Sequence, residues 1–288
     1  MIRPVLSSFA AVAAVVAFSA VASAQTIPPV SPSPSPSPSA APNPIGPALG
    51  NNDPCTSLSA IVTRPTVTNS VCTVRPNHVL IETGYLNLTS TGGNGNTVTY
   101  PQAAIRIGTK IPALEVDVTP PQLTRTNAGG LTTGSTDVGG GLKYVFGYSP
   151  KFSWGGQASF TEPTGTNGFS ANGSTETYAL NGSYALTPVF SLATTLATSS
   201  LTNGPQRWSS FVPTLVLGAS LPNSTGVYAE IATFSNANGP GTPTRTQYIY
   251  GLYRDVTPRL QLDLSAAVSP TAATGKYHGI GFGVSYYF

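Results

Sequence analysis

The last thirteen residues, 276–288, alternate in character with a period of two. After Lys276, one histidine and five bulky apolar or aromatic residues occupy the even positions, which are His278, Ile280, Phe282, Val284, Tyr286 and Phe288. Glycine, serine and tyrosine occupy the odd positions between them. Successive side chains of a β-strand point to opposite faces, so this segment predicts a strand with one bulky face and one small or polar face. A strand that has lipid on one side and a polar barrel interior on the other shows this pattern.

The chain ends on the motif Gly-x-x-Tyr-x-Phe, which is formed by Gly283, Tyr286 and Phe288. This ending resembles the signal by which the barrel-assembly machinery recognises outer-membrane barrels. The resemblance implies that this machinery is a partner of the chain. If the last strand closes a barrel, every upstream segment must be a strand of the same kind.

The composition of the chain fits strands with two different faces. Only 8% of the 288 residues are charged, yet the mean hydropathy is just +0.07. Soluble domains contain about 25% charged residues, and a soluble β-sandwich would therefore carry many more of them. A helical membrane protein would show several apolar runs of about 20 residues, whereas this chain has one such run, at its start. The net charge of +3 gives no reason to expect a nucleic-acid partner.

Segments of alternating character recur from His78 onward, with short turns and longer loops between them in alternation. We count about twelve such segments and predict an all-β fold, a 12-stranded antiparallel transmembrane β-barrel over residues 78–288. An even number of strands places both termini on the same side of the membrane, which we expect to be the periplasm. Residues 120–135 are predicted to form a long loop. The segment 207–221 is apolar on both faces, so its orientation stays open.

The amino-terminal region reads as an export signal followed by a spacer. Residues 1–24 predict a secretory signal peptide, with Arg3 before an apolar run and the cleavage site Ala22-Ser23-Ala24 at its end. An uncleaved anchor helix is the alternative. Residues 25–54 contain repeated Ser-Pro pairs, which predict an extended or disordered periplasmic linker.

Cys55 and Cys72 are the only cysteines, and both follow the export signal. An oxidising compartment favours a disulfide between them. Such a bridge closes a loop of about 18 residues, worth about 3 kcal/mol in the chain-entropy model. Two thiols without a nearby histidine or third cysteine make a poor zinc site. The segment 55–77 is either a periplasmic flap or a small plug inside the barrel, and the sequence leaves both open.

Seven charged residues at or near the middle of the predicted strands fall on the face opposite the bulky apolar side chains. They are Glu82, Arg106, Glu115, Asp117, Lys143, Glu230 and Asp263. A charge that faces lipid at mid-depth costs about 2–4 kcal/mol for arginine or lysine and less for aspartate or glutamate, so we place all seven in the lumen. Arg106 and Glu115 are symmetric about a short turn, which predicts a cross-strand ion pair. The seven residues either form a transverse field that screens solutes, or only pair with one another and plug the lumen.

Several segments resemble a known family when they are taken together and in order. They are residues 75–85, 137–144, 162–165, 256–263 and 281–288. In these segments the chain resembles the outer-membrane barrel transporters assigned to the MetA pathway of phenol degradation. The likeness covers roughly residues 75–288. It implies an outer-membrane channel that handles small aromatic or hydrophobic compounds, and it supplies no catalytic residues.

Motifs of enzymes are nearly absent from the sequence. There is no G-x-S-x-G, no P-loop and no H-E-x-x-H, so we predict no enzymatic activity, no cofactor and no metal. His278 falls on the outward face, where a barrel lipase would need a serine beside it. The sequence favours passive uptake of a small-molecule solute, with outer-membrane lipid as the surrounding partner. The alternative is a closed structural or surface-binding barrel without transport.

Overall fold

The computed structural model describes residues 53–90, 95–127, 130–237, 239–270 and 276–288. The predicted signal peptide, residues 1–24, lies outside the described residues. The predicted linker, residues 25–54, also lies outside them except for its last two residues.

The fold is a closed antiparallel β-barrel of twelve strands, as the sequence predicted. Three of the strands are interrupted, so the chain forms fifteen strand segments. These are β1 (Val79–Ser90), β2 (Asn96–Tyr100), β3 (Ala104–Gly108), β4 (Leu114–Thr119), β5 (Leu123–Thr126), β6 (Thr132–Ser135), β7 (Val138–Tyr148), β8 (Phe152–Glu162), β9 (Thr175–Ala185), β10 (Phe190–Thr202), β11 (Arg207–Leu221), β12 (Thr225–Phe234), β13 (Arg245–Thr257), β14 (Leu260–Ser269) and β15 (Tyr277–Tyr287). The last strand closes the cylinder because β15 pairs with β1, from Leu80 opposite Tyr287 to Ser90 opposite Tyr277.

The two ends of the barrel differ in their connections. At one end the turns are short, as between β9 and β10 or between β13 and β14, and we call this the turn end. At the other end lie the longer connections, such as residues 163–174, and we call this the loop end. The first residue of β1 and the last residue of β15 both lie at the turn end.

The three interrupted strands are neighbours in the sheet. They consist of β2 with β3, β4 with β5, and β6 with β7. Pro101, Pro120 and Pro121 lie in the breaks, where a residue without a backbone N–H cannot donate to the sheet. The predicted loop at 120–135 is wrong, because it contains β5 and β6, which pair as a hairpin. The segments of this hairpin are mostly Thr, Ser, Arg and Gly, so they lack the apolar face on which the strand prediction relied.

The outer face of the barrel is apolar. Ile280 and Phe282 of β15 and Leu142 of β7 are each more than half exposed, at 59%, 53% and 51%. In β11, Phe211, Leu215 and Leu217 point outward in the same way, which settles the orientation that the sequence left open. No helix among the described residues is long and apolar enough to cross a membrane. The exposed apolar wall identifies the surface that contacts lipid.

Residues 53–78 fold inside the barrel, and we call them the plug. Ser57 caps the short helix α1 (Leu58–Ile61) by accepting a hydrogen bond from the N–H of Ala60 at 3.2 Å. An apolar cluster joins the plug to the inner wall at the turn end. Its members are Cys55, Leu58, Ile61, Val62, Cys72 and Val74 of the plug, with Leu80 of β1 and Tyr287 of β15. Of the two positions that the sequence left open for this segment, the structure has the one inside the barrel.

Candidate functional site

The seven charged residues that the sequence placed in the lumen all lie on the inner wall. Six of them are at most 5% exposed, and Asp117 is half-buried. Buried charges require partners, because an isolated ion is poorly solvated inside a protein. The partners of these side chains therefore define what the lumen does.

Arg106 of β3 is the centre of a charge cluster near the turn end. Its Nε lies 2.8 Å from Glu115 Oε1, and its Nη1 lies 2.7 Å from Glu82 Oε1. Lys143 Nζ reaches the same Glu115 oxygen at 3.3 Å. The predicted pair of Arg106 with Glu115 is present, but it is diagonal, because the strand register places Asp117 directly opposite Arg106.

The same cluster also holds the plug. Arg106 Nη1 donates to the carbonyl oxygen of Ile61 at 2.6 Å, and Nη2 donates to that of Cys72 at 3.0 Å. Glu115 Oε2 accepts a hydrogen bond from the N–H of Val74 at 2.6 Å. The guanidinium group thus joins two wall carboxylates to two plug carbonyl groups, and it links the charge cluster of the wall to the plug.

Glu82 of β1 and Glu230 of β12 bind backbone N–H groups of the plug from two sides of the barrel. Glu82 accepts from Thr63 at 3.1 Å and from Arg64 at 3.0 Å. Glu230 accepts from the N–H of Val67 at 2.9 Å and from that of Thr68 at 2.7 Å. Hydrogen bonds to a carboxylate are stronger than neutral ones, so these two residues are anchors of the plug.

Hydroxyl groups continue this contact toward β10 and β11. Thr68 Oγ1 lies 2.7 Å from a Glu230 oxygen and 2.6 Å from Thr214 Oγ1. The N–H of Asn69 donates to Thr195 Oγ1 at 2.9 Å, and Thr195 in turn donates to Asn181 at 2.8 Å. The far edge of the plug is therefore fixed by a polar network on the inner wall.

The predicted disulfide between Cys55 and Cys72 is confirmed, with the two Cα atoms 5.3 Å apart. Near it, Arg75 Nη2 lies 2.5 Å from Asp53 Oδ2 and also contacts the carbonyl oxygen of Cys55. The N–H of Arg75 donates to the Tyr287 hydroxyl at 3.2 Å. The disulfide and this ion pair cross-link the two ends of the plug, and the Arg75–Tyr287 hydrogen bond joins them to the last strand.

Arg64 of the plug lies in a recess of the inner wall. Gly84 of β1, Gly283 of β15 and Asp263 of β14 are direct neighbours across adjacent strands. A Cβ atom on either glycine would overlap the Arg64 guanidinium group. Two glycines at neighbouring positions therefore make the space that the guanidinium group occupies.

The guanidinium group of Arg64 is held by one ion pair and two hydrogen bonds. Nε lies 3.5 Å from Asp263 Oδ2. Nη1 donates to Gln102 Oε1 at 3.1 Å, and Nη2 donates to the carbonyl oxygen of Phe282 at 3.2 Å. The side chain is only 14% exposed, so it belongs to the interior of the barrel.

Two cavities lie between the plug and the inner wall. The turn-side cavity, of about 340 Å³, borders wall residues near the turn end, such as Ser183, Ser191 and Ser220. The loop-side cavity, of about 210 Å³, borders residues nearer the loop end, such as Leu86 and Gln247. Arg64, Pro65 and Thr66 line both cavities. We call these three residues the partition, because they separate the two spaces.

At the loop end, Asp137 fixes the connection between β8 and β9. Its two carboxylate oxygens accept hydrogen bonds from the N–H groups of Gly165 and Ala171, each at 2.9 Å. Burial raises the pKa of Asp137, but the hydrogen bonds from Ala171, Ser170 and Gly165 outweigh it and hold the pKa below its ordinary value. The ionised carboxylate therefore stabilises this loop.

Sequence reasoning missed the residues of the plug that meet the wall charges, above all Arg64 and Thr68. One signal was available. The predicted lumen set contains five acids and only two bases, so three carboxylates had no cation in the set. Such an excess requires donors from elsewhere in the chain, and the cysteine-closed segment 55–77 contains Arg64 and Arg75.

Within the ranges that the structure describes, no group of three or more His, Cys, Asp or Glu side chains is placed to hold a metal ion. His278 lies exposed on the outer face of β15.

Comparisons with known proteins agree on the fold. No family model matches the sequence, and no curated protein matches it. Among solved structures, an outer-membrane channel from Pseudomonas putida F1 aligns with a TM-score of 0.59 at 12% identity, covering 78% of this chain and 100% of that one. The NanC porin aligns with a TM-score of 0.52 at 10% identity, covering 72% of this chain and 98% of that one. The chain therefore has a barrel fold that matches those of outer-membrane proteins.

Proposed function

We propose that the protein is an outer-membrane channel for the passive uptake of small solutes, in which the plug narrows a polar lumen. The observation that carries this proposal is the pair of cavities between the plug and the inner wall, both of which are lined by the partition. The two solved structures described above are named as a channel and a porin. A barrel of twelve strands lies between the filled eight-stranded barrels and the open porins of sixteen or more strands.

The turn end faces the periplasm in this proposal, and both termini lie there. Short periplasmic turns and longer outer loops support this orientation. The terminal residues Gly283, Tyr286 and Phe288 serve as the recognition signal for the barrel-assembly machinery. The signal peptide, residues 1–24, and the linker, residues 25–54, deliver the barrel domain, residues 78–288, to that machinery.

The wall charges have two roles in this account. They hold the plug, and together with the plug they set the charge and size of the narrowest part of the lumen. Arg106, Glu115 and Lys143 form one side of this region, and Glu230 and Asp263 form the other. The lumen-lining set that the sequence predicted thus acts through the plug and not as a bare ring of charges.

Small aromatic or hydrophobic compounds are the solutes that we propose. The resemblance of residues 75–288 to the barrel transporters assigned to the MetA pathway supports this choice. Apolar side chains around the loop-side cavity, among them Leu86 and Ile249, support it as well.

Permeation into liposomes tests the proposal. We expect wild-type protein to admit solutes of the size of benzene derivatives and to exclude disaccharides, because the loop-side cavity holds about 210 Å³. Liposomes without protein are the control. Entry of neither solute would favour the second candidate, a closed structural barrel, which the extensive anchoring of the plug also supports.

A further inference from the structure

The loop-side cavity has one charged residue in its lining. The plug supplies Arg64, Pro65, Thr66 and Val67, and the wall supplies the rest of the lining. Among the described residues, no carboxylate belongs to this lining. Arg64 therefore gives the cavity a single cationic pole.

The guanidinium group of Arg64 has donors to spare. An arginine side chain carries five N–H groups. One faces Asp263, one binds Gln102 and one binds the carbonyl oxygen of Phe282. Two N–H groups, one on each Nη atom, remain for another acceptor, and a guanidinium group with two such donors matches the two oxygens of a carboxylate.

Hydrogen-bonding side chains lie beside the same pole. Gln102 uses its oxygen to accept from Arg64, which leaves its NH₂ group as a donor. Ser265 of β14, two residues along from Asp263, also lines the cavity beside Arg64, whereas Gln247 lies beyond Ile249 toward the loop end. Arg64, Gln102 and Ser265 together form a polar head region.

Between the polar head region and Gln247, most side chains that line the cavity are apolar. Pro65 and Val67 of the plug face Leu86, Ile249 and Ala267 of the wall. The volume of about 210 Å³ is smaller than the roughly 300–1,000 Å³ of pockets for drug-sized ligands. It exceeds the roughly 150 Å³ of an engineered apolar cavity that binds benzene. The space therefore suits one ring, or a short chain of similar size, with one small polar group.

The carboxylates around the cavity do not oppose an anion there. Glu82 is paired with Arg106 and with plug N–H groups, and Glu230 is bound by the plug backbone. Asp263 lies behind the Arg64 guanidinium group and is the acid that holds it in place. Its side chain is fully buried and forms an ion pair with Arg64 Nε at 3.5 Å, so it orients Arg64 without entering the lining.

We propose that the loop-side cavity is a binding site for small monocarboxylates with an apolar body of about one ring, and that Arg64 binds their carboxylate. The binding site would give the channel its solute class. Passage of these solutes through the barrel rests on the proposed function, whereas their binding in the cavity does not. The partition that carries Arg64 also separates the two cavities, so the site lies where a solute would pass from one to the other.

Equilibrium binding to the purified protein in detergent tests the site directly. Benzoate, benzamide and benzylamine share a ring and differ in charge, so they serve as probes. We expect benzoate to bind with a Kd at least about tenfold lower than that of benzamide, because a charge-assisted pair of hydrogen bonds is stronger than neutral ones. Benzylamine should bind most weakly. Equal affinity for benzoate and benzamide overturns the proposal.

Variants distinguish the contribution of the Arg64 charge to binding from that of the apolar walls of the cavity. Arg64→Gln should raise the Kd of benzoate about tenfold or more and leave that of benzamide nearly unchanged. Arg125→Gln, at an exposed position of β5, is the matched control and should change neither. Ala267→Phe keeps Arg64 and fills the cavity, so it should abolish binding of both ligands even if Arg64→Gln fails to fold. Unchanged benzoate binding in Arg64→Gln or in Ala267→Phe would contradict the assignment of the loop-side cavity as a carboxylate site.

Permeation of the same ligands into liposomes distinguishes the two proposals. Benzoate binding without permeation would support the binding site and contradict the proposed channel. Permeation without preferential benzoate binding would support the channel and contradict the binding site.

Discussion

Glu230 holds the plug through both of its carboxylate oxygens, so its replacement by glutamine perturbs a defined set of hydrogen bonds. Oε1 accepts from the N–H and the hydroxyl of Thr68, each at 2.7 Å. Oε2 accepts from the N–H of Val67 at 2.9 Å. Glutamine keeps one oxygen and places an NH₂ group at the other position. One plug donor must then face another donor.

The cost follows from the number and kind of bonds. A hydrogen bond to a charged group contributes about 1.5–3 kcal/mol, and a buried donor without a partner costs about 1–3 kcal/mol. The variant loses the Val67 hydrogen bond, and the loss of charge weakens the Thr68 bonds. Together these changes should make the docked plug about 3 kcal/mol less stable relative to the undocked plug. At about 1.4 kcal/mol per factor of ten, the population of undocked plug rises roughly 150-fold.

Amide hydrogen exchange measures this change at the residues concerned. We expect the protection of the Val67 and Thr68 amides to fall roughly 150-fold in Glu230→Gln, while amides of β14 and β15 keep theirs. Glu176→Gln, an exposed residue at the loop end, is the matched control and should leave the plug unchanged. Equal protection of the plug in Glu230→Gln and wild type would refute the anchoring role of Glu230.

Three further predictions address the plug, the loop end and the outer wall. Replacement of both Cys55 and Cys72 by serine removes a constraint worth about 3 kcal/mol for a loop of this length. The plug amides should then exchange their hydrogens faster, while the barrel still resists unfolding in SDS at room temperature. Unfolding of the barrel in this variant would contradict the prediction. Asp137 has a lowered pKa, so it stabilises the loop 163–174 above the ordinary aspartate pKa and loses this effect as pH falls below about 4. Proteolysis of that loop should therefore be constant from pH 7 to pH 5 and faster in Asp137→Asn at all of these pH values; no difference between variant and wild type at pH 7 would count against the role of Asp137. Leu264 lies opposite Phe282 in the apolar belt of the outer face, and Leu264→Arg should lower the free energy of unfolding in phospholipid vesicles by about 2–4 kcal/mol. Val256→Arg, near the turn end, should lower it by about 1 kcal/mol or less. Equal losses in the two variants would contradict the position of the belt.

The barrel could be predicted from sequence because its signal is local. Alternation within a strand such as β15 depends on residues two positions apart, and lipid outside with polar contacts inside enforces it throughout. The hairpin of β5 and β6 escaped prediction because it has no apolar face. The orientation of β11 was ambiguous because Val216 faces inward onto an apolar patch that includes Val67 of the plug.

The plug could not be placed from sequence because its contacts join distant parts of the chain. Arg64 binds Gln102, 38 residues away, and the carbonyl oxygen of Phe282, 218 residues away. Thr68 meets Glu230 across 162 residues. Burial of the seven charged residues could be expected from their positions on the strands. The plug groups that bind Glu82, Glu115 and Glu230 could not, because most of them are backbone N–H groups, which carry no residue-specific signal.

Single-channel conductance in planar bilayers tests the central claim most directly, namely that anchored plug residues limit passage through an otherwise continuous lumen. We predict a small conductance for wild type and a several-fold larger one for the double variant Glu82→Gln/Glu230→Gln, with Glu176→Gln equal to wild type. A double variant that conducts no better than wild type, or the absence of conductance in both, would contradict the account.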